Sequence, residues 1–113
     1  MATLVPLNTF KSVASNLTTI NTLLYTAPTE ITTIVLMAQI ANVGNATANA
    51  TFYYKTNTGP MVELVKDFEI PKSDAASVLT GKLVLEQADK VYAVASANNR
   101  LKIVLSLLET SNQ

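Results

Sequence analysis

The side chains best equipped for chemistry in this chain are two pairs of carboxylates, Asp67 with Glu69 and Glu86 with Asp89. Two acids flanking a bond at a fixed separation are the working parts of a glycosidase. Other schemes lack their parts, because the chain has no histidine and no cysteine. Ser-His and Cys-His nucleophile pairs, disulfides and thiolate-held zinc are therefore excluded. The carboxylate pairs also have plainer readings. Asp67 and Glu69 sit two apart on an expected strand with Lys66 and Lys72 close by, as in a solvated face or an interface ion pair. Glu86-Gln87-Ala88-Asp89-Lys90 is a polar turn between apolar runs, where acidic residues are ordinary. As a calcium site it falls short of the roughly six to eight oxygen ligands that ion takes. The three glycines, Gly44, Gly59 and Gly81, stand apart and form no phosphate-cradling loop. The expectation is a protein that is not an enzyme and has no metal and no cofactor.

One aromatic cluster, Phe52-Tyr53-Tyr54 followed by Lys55, could offer a stacking platform to sugar rings or to single-stranded nucleic acid. Alternation along a strand puts Phe52 and Tyr54 on one face and Tyr53 on the other, which favours core packing with one exposed ring. Eight Lys plus Arg balance eight Asp plus Glu. With no net field, neither nucleic acid nor an anionic membrane is an expected partner. Three Asn-x-Thr triplets begin at Asn16, Asn45 and Asn49. They read as incidental to a Thr- and Asn-rich chain, since Met1 to Leu7 lacks the basic start and sustained apolar core of a secretory signal.

At 113 residues, 49% hydrophobic and only 14% charged, the chain suits one domain with a buried core and an uncharged surface fit for burial against other protein. The elements that must position these residues read as strands. Thr22 to Thr26 is a short strand stopped by Ala27-Pro28, and Ile31 to Val43 is a near-continuous apolar run suited to a central position. Ala48 to Thr56 alternates and ends at Asn57-Thr58-Gly59-Pro60. Met61 to Ile70 is either two short strands or one bent strand. Gly81 marks a bulge or corner at which the strand could change sheets. The runs 81–86, 91–96 and 101–106 follow across short polar breaks and read as an antiparallel meander, with Ala97-Asn98-Asn99-Arg100 as a hairpin turn. A helical reading competes at Leu101, Leu105 and Leu108, which share a face at three- and four-residue spacing. About eight strands imply an all-β antiparallel sandwich, either jelly-roll or immunoglobulin-like. Residues 1–20 read as an N-terminal arm or first strand, and residues 21–113 as the sandwich domain.

Four segments in order carry a resemblance: Leu24-Tyr25-Thr26-Ala27-Pro28, Thr33 to Asn42, Gly81-Lys82-Leu83-Val84-Leu85-Glu86, and Val104-Leu105-Ser106-Leu107-Leu108-Glu109. Over residues 22–109 the chain resembles small β-sandwich structural proteins of tailed bacteriophages, especially those of marine and cyanobacterial phages. The resemblance implies a virion part, such as a capsid decoration or cement protein, a neck or tail component or a fibre-associated domain, and it implies no catalytic residue. The expected partners are phage capsid or neck and tail proteins and further copies of the chain in a symmetric assembly. The expected location is the virion, after synthesis in the host cytoplasm.

The leading expectation is a decoration or cement protein that stabilises a shell through contact area. Leu4, Val5, Leu7 and Phe10 are its expected interface residues, carried by the arm. The alternative is a neck, tail or fibre module that binds a glycan or receptor through Tyr53, Tyr54 and the Asn57-Thr58-Gly59 turn.

Overall fold

A computed structural model describes residues 8–111. Nine strands run in chain order: β1 (Asn8–Asn16), β2 (Thr22–Thr26), β3 (Ile31–Asn42), β4 (Ala48–Lys55), β5 (Met61–Ile70), β6 (Ala75–Ser77), β7 (Leu83–Leu85), β8 (Lys90–Ala95) and β9 (Leu101–Ser111). They form two antiparallel sheets and, among the described residues, no helix. The first sheet has the order β1-β9-β3-β6, with β7 also on β3, and the second has the order β2-β8-β4-β5.

This order has a simple origin in pairing. β4 pairs with β5, β3 with β6 and β7, β2 with β8, and β1 with β9. The chain is thus one long hairpin whose tip is the turn at residues 56–60. Rolling that hairpin lays β9 beside β3 and β8 beside β4, which closes the two sheets. An eight-stranded double Greek key of this kind is a jelly roll. β6 and β7 supply its sixth strand in two pieces, and the strand order excludes the immunoglobulin arrangement.

Three expectations are corrected. The last third is not a meander, because β7 pairs with β3, β8 with β2 and β4, and β9 with β1 and β3. The segment between β8 and β9 crosses from one sheet to the other, so each apolar run finds its partner far away in sequence. Gly81 is not the point of a sheet change. It has φ of 145° within the outward loop between β6 and β7, both of which stay on β3, and only glycine takes that backbone without strain. The helical reading of Leu101, Leu105 and Leu108 also fails. β9 is extended over eleven residues, with Leu101 and Leu105 buried and Leu108 on the opposite face.

Core residues come from both inner faces. β9 contributes Leu101, Ile103, Leu105 and Leu107, β3 contributes Val35, Ala38 and Ile40, and β4 and β8 contribute Ala50, Phe52, Val91 and Ala93. Leu and Ile on the first sheet lie over Ala on the second, with Phe52 as the largest fully buried side chain. Asn42 pins the crossing from β3 to β4. Its side-chain amide donates to the carbonyls of Ala46 and Ile70, both at 2.9 Å, and its side-chain oxygen accepts from the Gly44 amide.

Candidate assembly surface

Strand register decides what the outer face of the β1-β9-β3 sheet presents. Phe10 is paired with Leu108, Leu108 with Ile34, and Ile34 with Val84. Successive strands thus carry one apolar row across the full width of the sheet, on the side away from the core. Phe10 is 74% exposed and Val84 52%. Val104 and Val43 are exposed on the same side, and with Met37, Gln39, Ala41 and Lys102 they line a depression of about 310 Å³. A second hollow lies beside the row, between Phe10, Leu36 and Ser106. The second is lined by Leu36, the residue that forms a bulge in the β3–β9 register. Large exposed apolar side chains aligned in one row are what a protein-binding surface offers.

Of the expected interface residues, Phe10 lies at the edge of this row, whereas Leu4, Val5 and Leu7 lie outside the described residues. The sequence reading missed Leu108, Ile34 and Val84. A signal for them existed in β9, which has apolar residues at Val104 and Leu108 out of phase with its core set, so both of its faces are apolar.

The acidic residues occupy quite different places. Asp89 is 4% exposed, and its carboxylate accepts from the Tyr54 hydroxyl at 3.0 Å, the Asn57 amide at 3.0 Å and the Glu86 amide at 2.9 Å. It ties the turn before β8 to the tip of the β4–β5 hairpin. Glu86 contributes its backbone to this knot while its side chain is exposed. Gln87 accepts from the Glu30 amide at 2.7 Å. Asp67 lies in a bulge where Lys66 and Asp67 together oppose Thr51, and its amide donates to the Thr51 hydroxyl at 3.0 Å. Simple alternation therefore does not fix Asp67 and Glu69 on a shared face. Among the described residues no group of acids is placed to hold a metal ion.

A second polar knot sits at the other edge of the core. The Tyr25 hydroxyl donates to Glu109 and lies 2.8 Å from the Thr33 hydroxyl, while Lys11 Nζ lies 3.4 Å from the same Glu109 oxygen. Burial, then the hydrogen bond to Glu109, push the Tyr25 hydroxyl well above its ordinary pKa. Burial followed by the bond to Asp89 moves Tyr54 in the same direction. Both tyrosines remain neutral donors, so Tyr54 is committed to the fold. Tyr53 instead stands opposite Tyr92 on the outer face of the second sheet, in a row with Leu23 and Glu63.

No protein-family model matches the chain, and no curated protein is similar to it. Solved structures share its fold. A subunit of the Bacillus endospore appendages, a family of disulfide-linked pili, superposes with a TM-score of 0.58 at 10% identity, over 94% of this chain and 88% of that one. A chain of the acid-stable capsid of Helicobacter pylori bacteriophage KHP30 does so with a TM-score of 0.56 at 11% identity, over 97% and 92%. A chain of infectious bursal disease virus, Gt strain, gives 0.50 at 12% identity, and there this chain spans only 33% of its counterpart. At such identities the likeness is one of fold, shared with chains of a pilus and of virus particles. Having no cysteine, this chain cannot be cross-linked by disulfides.

Proposed function

We propose that this protein is a non-enzymatic structural subunit of a tailed-phage virion, a decoration or cement protein that binds the capsid and stabilises it by bridging coat subunits. The observation that carries this reading is the row Phe10, Leu108, Ile34 and Val84, an apolar band across a sheet face with no core of its own to cover it. Support comes from the near full-length likeness of fold to a chain of a phage capsid and from the four sequence segments that resemble phage structural proteins. Of the four candidate catalytic carboxylates, that of Asp89 is consumed by three hydrogen bonds, and Asp67 sits in a bulge that takes it out of regular alternation with Glu69.

In this reading the mechanism is contact area repeated by symmetry. Each copy contributes a modest interface, and many copies together resist outward pressure on the shell. In the same proposal Leu4, Val5 and Leu7, which precede β1 in the sequence, are further contact residues. Co-sedimentation with capsids lacking the protein tests this. The wild-type chain is expected to pellet with the shells, and the double variant Phe10→Asp, Val84→Asp to remain in solution while keeping its fold. Equal binding by both would reject the row as the contact.

A second reading is favoured by one observation, the Tyr53–Tyr92 cross-strand pair on the outer face of the other sheet. Two aromatic rings side by side can stack on sugar rings, which suits a neck, tail or fibre-associated module that binds a glycan or receptor. A glycan array probed with wild type and Tyr53→Ala separates the readings, since glycan binding lost in the variant would favour the fibre role.

A further inference from the structure

Each sheet of a sandwich has two edges, and a free edge is a row of unpaired amides and carbonyls that must be guarded or used. Three of the four edges here are guarded. β5 carries two register irregularities against β4 and the charged residues Lys66, Asp67 and Glu69. β2 has only five residues, a register shift of its own and Ala27-Pro28 immediately after it. The β6–β7 edge is split into two three-residue pieces.

β1 differs on every count. Its nine residues, Asn8 to Asn16, pair with β9 without a bulge. It contains no proline, and its one charge is on Lys11, whose amine turns back toward Glu109 instead of standing guard over the edge. The direction of its free backbone groups can be read from the ladder. The Leu17 amide donates to the Leu101 carbonyl at 2.8 Å, continuing the β1–β9 register by one residue. Antiparallel pairs alternate between bonded and non-bonded, so Val13 and Ser15 bond to β9, while Phe10, Ser12 and Ala14 direct their amides and carbonyls outward.

We infer that the β1 edge is the site at which a second copy of this chain adds its own β1, antiparallel and about a two-fold axis, joining two β1-β9-β3 sheets into one. The register centred on Ser12 uses the whole strand. It sets Phe10 against Ala14 of the second copy, Lys11 against Val13, and outward-facing backbone against outward-facing backbone. A register centred on Lys11 would oppose two like charges and cost stability. The chain's zero net charge offers no long-range repulsion between copies. Isologous pairing of this kind closes on itself, which consumes both edges and prevents open-ended growth. The inference deepens the reading of the chain as an assembly subunit by naming one contact between copies, and it is testable without any capsid.

Amide hydrogen exchange by NMR on the full chain, as a function of its concentration, reads the pairing directly. In dilute solution the amides of Phe10, Ser12 and Ala14 should exchange freely while those of Val13 and Ser15 are already protected. On association the first set should slow at least about tenfold, with the second set unchanged. Ser12→Pro removes an outward donor and no bond to β9, so it should stay monomeric in sedimentation equilibrium with the wild-type circular dichroism. If that variant fails to fold, Phe10→Lys, at an exposed position, takes its place. A wild-type chain that stays monomeric up to about 1 mM, or whose Phe10, Ser12 and Ala14 amides never slow, overturns the inference. Such a monomer that still pellets with capsids would leave the shell reading standing, whereas a β1-paired dimer that ignores capsids would reject the shell reading alone.

Discussion

Phe10 stands directly opposite Leu108 in the β1–β9 ladder, and both project from the side of the sheet that faces away from the core. One member is almost fully solvated and the other half-covered. The pair begins a row that continues through Ile34 to Val84, so its cost in exposed apolar surface is met once a partner covers the row. Replacing Phe10 by Asp is expected to change folding stability by no more than about 0.5 kcal/mol, because the ring has little core contact to lose. Urea denaturation checks this. A loss of several kcal/mol would mean that the ring supports the monomer and is not kept for a partner.

Phe52 offers the contrast. It is the largest fully buried side chain, on β4 and facing the leucines and isoleucines of the first sheet. Phe52→Ala should cost about 3–5 kcal/mol, a large share of the stability of a domain this size. A shift in urea midpoint with an unchanged slope would be the signature.

Asp89 should behave as a structural acid. Asp89→Ala removes the acceptor of three donors at once, and hydrogen bonds to a charged group are worth about 1.5–3 kcal/mol each before relaxation and water entry reduce the sum. A loss of at least about 3 kcal/mol is expected, with the β4–β5 tip loosened most. Rapid exchange of the Asn57 and Glu86 amides in the variant would show this locally.

Stability should fall at alkaline pH. The Tyr25 hydroxyl has a raised pKa in the folded state, so above about pH 10 the unfolded chain loses a proton that the folded chain keeps. The contribution is complete below that pH and is lost as pH rises toward the folded value. Tyr54 is shifted the same way. Urea midpoints for wild type and Tyr25→Phe between pH 8 and 11 should converge as pH rises, since the variant lacks one of the two titrating groups. Parallel curves would show that Tyr25 is not the group responsible.

Most of the strands were legible in the sequence, because alternating apolar residues bounded by Pro28, Gly44 and Gly59 leave little choice. Their partners were not. Adjacent apolar runs such as those of β7, β8 and β9 suggest hairpins, yet a rolled hairpin pairs residues as far apart as Asn8 and Thr110. Nothing local in Ala97 to Arg100 distinguishes a turn within one sheet from a crossing between two. The outer row was illegible for the same reason: Phe10, Ile34, Val84 and Leu108 lie far apart in the chain, and only register aligns them. Asp89 looked like a turn residue, which it is, but its burial depends on Tyr54 and Asn57 arriving from another hairpin.

Electron microscopy of capsids lacking the protein, after incubation with the purified chain, tests the proposed role most directly. The account predicts ordered density at symmetric positions on the shell, with the β1-β9-β3 sheet turned toward the coat subunits and Phe10 and Val84 at the contact. Bare shells, or density seated through the β2-β8-β4-β5 sheet, would contradict it.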